Sequence, residues 1–145
     1  MPVAPLTDIS HVIQLAIAPV FLLTAVGTII GVLTNRLGRA VDRRRTLFAS
    51  LPELSEEIGR LAKLELEFEQ RRIRLVYVAI TLAVLCALLV CILIALAFID
   101  AFVAMDLGKV IAALFILAVI SLTASLTVFL REIFLAVNST RAPVR

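Results

Sequence analysis

Residue types that could carry catalysis are few in this sequence, and their spacing does not suit it. The single histidine, His11, has Asp8 as its nearby acid, whereas a metal site normally needs three or four ligands. Cys86 and Cys91 are five residues apart, so on a helix they face different sides and cannot form a disulfide with each other. The sequence shows no serine–histidine–aspartate set and no glycine-rich phosphate loop. We therefore expect neither an enzyme nor a metal or cofactor site.

A stripe of small and polar residues is a stronger candidate site. In steps of three and four from residue 14, one helix face carries side chains that are mostly small or polar. Such side chains are unfavourable next to lipid and should face protein or water. Two interpretations stay open: the face packs tightly within or between subunits, or it lines a pore or polar cavity. The stripe consists of Gln14, Ile17, Phe21, Thr24, Thr28, Gly31 and Asn35.

Three further features of the same segment bear on these two interpretations. Gly27 and Gly31 are four residues apart, a pattern that lets two helices approach closely and supports tight packing. Ile17 and Phe21 would form an apolar constriction if the stripe lined a pore. Pro19 removes one backbone hydrogen bond, which predicts a kink in the helix.

A basic segment with five arginines and one acid, Asp42, follows this stripe between residues 34 and 47. On a helix Arg39 and Asp42 lie three residues apart and can meet, and Arg43 could join them. We expect these three residues to form a partly buried ion cluster, whose loss would cost about 3–5 kcal/mol. The other arginines beside the apolar segments are expected to contact anionic lipid headgroups. They are Arg36, Arg44, Arg45, Arg71, Arg72 and Arg74.

The segments that must position these residues are three uncharged runs, Val12–Thr34, Leu75–Ile99 and Val110–Leu130. Each has at least the roughly 20 apolar residues that a membrane-spanning helix needs. The chain of 145 residues is 62% hydrophobic, with a mean hydropathy of +1.11, whereas soluble domains average about 45–50% apolar residues. We therefore predict an all-α membrane protein, with three transmembrane helices in a single membrane domain spanning residues 1–145.

The distribution of basic residues predicts the orientation. Ten of the 14 Lys and Arg residues lie in the connection 35–74 and three lie in the tail 131–145, whereas the connection 100–109 has one. Because basic residues are retained on the cytoplasmic side, the N-terminus should face outward, and the connection 35–74 and the tail should lie in the cytoplasm. That connection also holds seven acids and only two aromatic residues, which argues against nucleic-acid binding.

The connection 35–74 is predicted to be a helical hairpin rather than a loop. The first helix should extend along an apolar stripe that reaches Phe48, and the second should run without interruption from Leu51 to Ile99. Apolar residues of the second arm, among them Ile58, Leu61 and Phe68, recur at helical spacing and would pack against the first arm. The first two transmembrane helices would thus continue into a cytoplasmic hairpin.

The first third of the chain resembles the opening signature of a family of small bacterial membrane proteins catalogued only as a domain of unknown function. The resemblance rests on IQLAIAPVFLLTAVGTIIGVLTNRLGRAVDRRR, residues 13–45. A later run of glutamates before Arg71, Arg72 and Arg74, followed by two spans, is also similar. The resemblance implies three spans in a bacterial inner membrane, and it brings no activity, cofactor or catalytic residue.

Two functions are predicted from these features. The first is a homo-oligomeric membrane assembly with ion conduction along a ring of first helices, because three spans are too few to enclose a pathway within one subunit. The second is a membrane-anchored scaffold that binds partners through the cytoplasmic hairpin, because its apolar spacing and mixed charge suit protein binding. The expected contacts are membrane lipid and further copies of the chain.

Overall fold

Three long helices account for nearly all of the chain. The computed structural model describes residues 4–50, 56–103 and 106–139, and these form α1 (Ala4–Ser50), α2 (Glu56–Val103) and α3 (Gly108–Ser139). No strand occurs among these residues, so the all-α prediction is confirmed there. Each helix is long and apolar enough to cross a membrane, which indicates a multi-pass membrane protein.

The helices extend well beyond the uncharged runs that predict them. α1 continues without interruption from its apolar segment to Ser50, and α2 begins at Glu56. The predicted start of the second helix at Leu51 lies outside the described residues. Pro19 is buried inside α1, and its kink stays a prediction.

At the other end, α2 and α3 reach into the predicted connection 100–109. α2 ends at Val103 and α3 begins at Gly108. The backbone N–H of Leu107 donates to Asp100 Oδ1 at 3.2 Å, which ties the end of one helix to the start of the next. An acidic side chain thus satisfies a backbone donor that would otherwise be exposed at the helix start.

By their contacts the helices form two compact units. The first unit combines the chain up to Ile30 with Leu82–Thr123, and the second unit combines Gly31–Thr81 with the chain from Ala124. Each unit therefore contains a segment of all three helices. Both units bury apolar residues, and the charged residues that follow α1's apolar segment lie in the second.

The core of the first unit is built mainly from small side chains. Val26 of α1, Ala83, Cys86 and Val90 of α2, and Ala118 of α3 are fully buried and form one cluster. Small residues at such contacts let helix backbones approach closely, which is how helices associate in a membrane where lipid is as apolar as the side chains.

The second unit buries a face of α2 that differs from the predicted one. Ile58, Leu61 and Phe68 were expected to pack against α1, but all three are more than half exposed, so this prediction is wrong. The buried positions are instead seven residues apart, the repeat of a left-handed coiled-coil seam. The residues at this spacing are Ala62, Glu69 and Val76, and Ala79 is buried three residues further on.

Two serines of α3 bind carbonyl oxygens of α2, one in each unit. In the first unit Ser121 Oγ donates to Leu82 O at 2.7 Å, and in the second unit Ser125 Oγ donates to Ala79 O at 2.7 Å. Both serines are buried. These bonds fix the register of α3 against α2 in each unit, because a hydroxyl on a short side chain reaches a neighbouring backbone only at one place.

Ser125→Ala is expected to lower the free energy of unfolding by about 0.6 kcal/mol, and by no more than about 1.7, the range for interhelical hydrogen bonds in membranes. The loss is modest because the Ala79 carbonyl keeps its partner within α2. Thr81→Val is the control, since the Thr81 hydroxyl donates to Tyr77 O of its own helix. Unfolding in mixed micelles measures both. A loss no larger for Ser125→Ala than for Thr81→Val would contradict the role of this bond.

Candidate functional site

One buried carboxylate of the second unit joins all three helices. Glu132 of α3 is only 2% exposed. Its Oε2 accepts from Arg36 Nη1 of α1 at 2.7 Å, and its Oε1 accepts from Arg72 Nη2 and Nε of α2 at 3.0 and 3.3 Å. Both oxygens are therefore satisfied by guanidinium groups, the donors best suited to a planar carboxylate.

The same arginines make further contacts on either side of this carboxylate. Arg72 Nη1 also donates to Glu69 Oε1, one turn earlier on α2, at 3.1 Å. The Arg36 guanidinium carbon lies 5.3 Å from the centroid of the Phe129 ring, within the range of a cation–π contact. The two cations are thus held from several directions, although 31% and 27% of their side chains remain exposed.

A second ion pair connects α1 to α2 nearer the solvent. Arg43 Nη2 donates to Glu65 Oε1 at 2.7 Å, and Arg43 Nε lies 3.8 Å from Glu69 Oε1. The hydrogen bond and the charge of Glu65 raise the pKa of Arg43 above its usual value. Because the Arg43 side chain is 64% exposed and that of Glu65 is 44% exposed, their pair contributes only about 0–1 kcal/mol.

These charged groups surround a cavity of about 260 Å³. Its lining includes four arginines and two glutamates, which leaves a formal excess of two positive charges. One atom at this site lacks a partner: Glu69 Oε2 is buried and accepts no hydrogen bond from the described residues. The lining residues are Arg36, Arg39, Ala40, Arg43, Glu69, Arg72, Val76 and Glu132.

The structure does not assemble the predicted cluster of Arg39, Asp42 and Arg43. Asp42 is exposed, and its carboxylate forms no ion pair within the part of the chain that the structure describes. Arg43 binds Glu65 instead, because its side chain faces α2, where the carboxylates of Glu65 and Glu69 are one turn apart. Arg39 lines the cavity without a carboxylate partner among these residues.

The six arginines predicted to meet lipid headgroups divide into two groups. Arg36 and Arg72 bind the buried Glu132 carboxylate, while 31% and 27% of their side chains stay exposed. The other four are exposed and form no ion pair among the described residues, so headgroup contact stays a prediction for them. They are Arg44, Arg45, Arg71 and Arg74.

The predicted stripe of α1 is exposed along its whole length. Phe21 is 72% exposed, and the hydroxyls of Thr24 and Thr28 donate to carbonyls one turn earlier on the same helix, at 3.2 and 3.1 Å. A Cβ placed on Gly27 or Gly31 meets no atom within 4 Å. The described residues of this chain therefore do not cover the stripe. It is made of Gln14, Ile17, Phe21, Thr24, Thr28, Gly31 and Asn35, all exposed.

The residue types suited to catalysis are not brought together. Cys86 is buried and Cys91 is exposed, so they face different sides of α2 as their spacing predicts. No group of three potential metal ligands occurs in the part of the chain that the structure describes. The side chains of Asp8 and His11 lie outside the described part of the chain.

Glu132 is the site residue that sequence reasoning missed. A signal for it exists, because it is the acid nearest to the end of the third uncharged run, two residues past Leu130. Arg36 stands two residues past the first run and Arg72 three residues before the second. Opposite charges at matching distances from three spans can meet if the span ends lie at one level.

The comparisons with known proteins give a family match but no individual relative. One family model matches residues 16–142, which is most of the chain and includes every residue of the cavity and all of the stripe except Gln14. No curated protein and no solved structure matches the chain. The family match covers all three helices and confirms the resemblance to a family of unknown function, so any activity has to be argued from the geometry.

Proposed function

Because the chain belongs to the family described as "Protein of unknown function (DUF2721)", we propose its function from its geometry: a membrane protein that assembles with copies of itself through the stripe of α1. The observation that carries this proposal is that the stripe is exposed throughout its length. Small and polar side chains are disfavoured against lipid and are typical of helix–helix contacts in membranes.

The positive charges support a definite orientation for this assembly. The connection 35–74 and the tail hold nearly all basic residues, so both lie in the cytoplasm and the N-terminus lies outside. The family resemblance supports a bacterial inner membrane. α1 and α2 then continue from the membrane into a cytoplasmic hairpin, and the ion pairs of Arg43 with Glu65 and Glu69 support contact between its arms.

Self-association in a ring also supports an ion pathway. Gly27 and Thr28 differ by about 100° around the helix, so a glycine can contact a neighbouring subunit while a threonine faces the centre. The Thr24 and Thr28 hydroxyl oxygens keep lone pairs that could accept from water or bind a cation. Ile17 and Phe21, both exposed, would form the apolar constriction.

A different observation favours a scaffold as a second candidate function. Ile58, Leu61, Leu64 and Phe68 are all more than half exposed, on the part of α2 that precedes its uncharged run. In water, clustered apolar side chains of this size mark a protein contact. A membrane-anchored scaffold would bind its partner proteins through this apolar face of the hairpin.

Gly31→Leu is expected to weaken self-association by about 1–3 kcal/mol, roughly 10- to 100-fold, because a large side chain overfills the proposed contact. The fold itself should be unaffected or gain, since Cβ at this position meets nothing and leucine favours the helix more than glycine does. Native mass spectrometry in mild detergent gives the oligomer distribution.

The matched control is Ala113→Leu, which enlarges an exposed alanine in α3. It should leave the distribution unchanged. A wild-type protein that is strictly monomeric, or equal shifts for both variants, would overturn self-association through α1. Ion flux into liposomes then separates a pore from a closed assembly.

The scaffold candidate is tested by a photoreactive side chain at Leu61 of the full-length protein in cells. Crosslinks to cytoplasmic proteins would support the scaffold. Crosslinks only to a second copy of the chain would assign this face to the assembly instead.

A further inference from the structure

We propose that the cavity of the second unit binds the phosphate of an anionic glycerophosphate, with a hydroxyl of the ligand donating to Glu69. This site is separate from the stripe of α1 and does not depend on self-association. The lining residues come from α1, α2 and α3, and all of them lie in the second unit.

The charge of the cavity points to an anion. Four guanidinium groups and two carboxylates line it, and among the described residues the ion pairs use Arg36, Arg43 and Arg72 but not Arg39. The N–H groups of the Arg39 guanidinium therefore remain free to bind a ligand, and the cavity lining keeps an excess of positive charge. A guanidinium presents two parallel N–H groups, which match the geometry of a phosphate.

Glu69 narrows the choice among phosphate-bearing ligands. Its side chain is only 8% exposed, its Oε1 binds Arg72, and its Oε2 has no donor among the described residues. Rotation about the last side-chain bond, which is broad for glutamate, can turn either oxygen toward the cavity. A buried carboxylate oxygen needs a donor, and a glycerol hydroxyl next to the phosphate supplies one. A phosphodiester without a hydroxyl does not.

The position of the cavity along the sequence favours a lipid as the source of this ligand. Arg36 and Glu132 each follow an uncharged run by two residues, and Arg72 precedes one by three. These places correspond to the level of lipid headgroups if the three runs cross the membrane. Basic pockets of this kind between transmembrane helices bind phospholipid headgroups.

The experiment measures lipid binding to the delipidated full-length protein by native mass spectrometry in mild detergent. Phosphatidylglycerol should bind at least about tenfold more tightly than phosphatidylcholine, and Arg39→Gln should remove about tenfold of that affinity, the effect of one charged hydrogen bond. The matched control is Arg44→Gln, an exposed arginine on the same helix outside the cavity, which should change affinity less than twofold.

Two further ligands test whether the ligand's hydroxyl contributes to binding and whether the ligand is a lipid or a soluble phosphate. Phosphatidylmethanol carries the same charge as phosphatidylglycerol but no headgroup hydroxyl, so it should bind more weakly; equal binding would overturn the role of Glu69. Competition by free glycerol 1-phosphate would support the same chemistry with a soluble source. Equal losses in Arg39→Gln and Arg44→Gln, or no preference over phosphatidylcholine, would show only surface attraction and overturn the site.

Discussion

Glu132→Gln should lower the free energy of unfolding by about 3–5 kcal/mol, the cost of breaking a buried ion pair. The value should fall toward the lower end, because the two arginines remain about one third exposed and can regain some water. Glutamine has nearly the same size, so no cavity forms. In the wild type each of the two guanidinium groups donates to one carboxylate oxygen of Glu132. In the variant, the amide nitrogen of glutamine would face one of these guanidinium groups and could not accept its hydrogen bond.

This loss is measured by unfolding the protein in mixed detergent micelles and monitoring the decrease of the helical signal. The control is Glu67→Gln, which neutralises an exposed carboxylate on α2 that forms no ion pair among the described residues. Surface changes of this kind stay within about 0.5 kcal/mol. Similar small losses for both variants would mean that the link between the three helices adds little to stability.

Ala83→Leu should destabilise the first unit by about 1–3 kcal/mol or more. Ala83 is fully buried, in one cluster with Val26 of α1 and Ala118 of α3. Leucine adds three carbon atoms where the side chains of three helices meet, and overpacking forces side chains off their rotamers and shifts backbones. The same increase in hydrophobicity would be favourable if the position faced lipid.

Ala95→Leu provides the comparison, since Ala95 is an exposed alanine of the same helix. It should leave the thermal midpoint in detergent unchanged or raise it. The sign of the difference is the test, because both changes add the same atoms to α2. A midpoint for Ala83→Leu equal to that of Ala95→Leu would show that the cluster tolerates the extra volume.

The sequence predicts which segments form spanning helices better than it predicts the contacts between those helices. Length and lack of charge decide whether a segment is a spanning helix, and both are properties of the segment alone. The buried face of α2 depends on its neighbours. Ile58, Leu61 and Phe68 follow the rule for soluble helices, in which large apolar residues face inward, whereas the structure buries Ala62 and Val76.

The charged site shows the same limit. Arg39 and Asp42 are close in sequence, and that proximity suggested an ion cluster. The partners that the structure selects lie far apart along the chain: Arg36 and Glu132 are separated by 96 residues. Such a pairing depends on the register of α3 against α1, which no local pattern contains. The ion pairs of the structure join Arg36 and Arg72 to Glu132 and leave Arg39 and Asp42 outside them.

The late position of Glu132 in the chain has a consequence for how the protein is made. Synthesis runs from the N-terminus, so Arg36 and Arg72 emerge long before their shared carboxylate does. Until α3 is inserted, Arg36 lacks the only acid with which it pairs among the described residues. A nascent chain with two helices thus lacks these ion pairs, and insertion of the third helix supplies the carboxylate that joins all three.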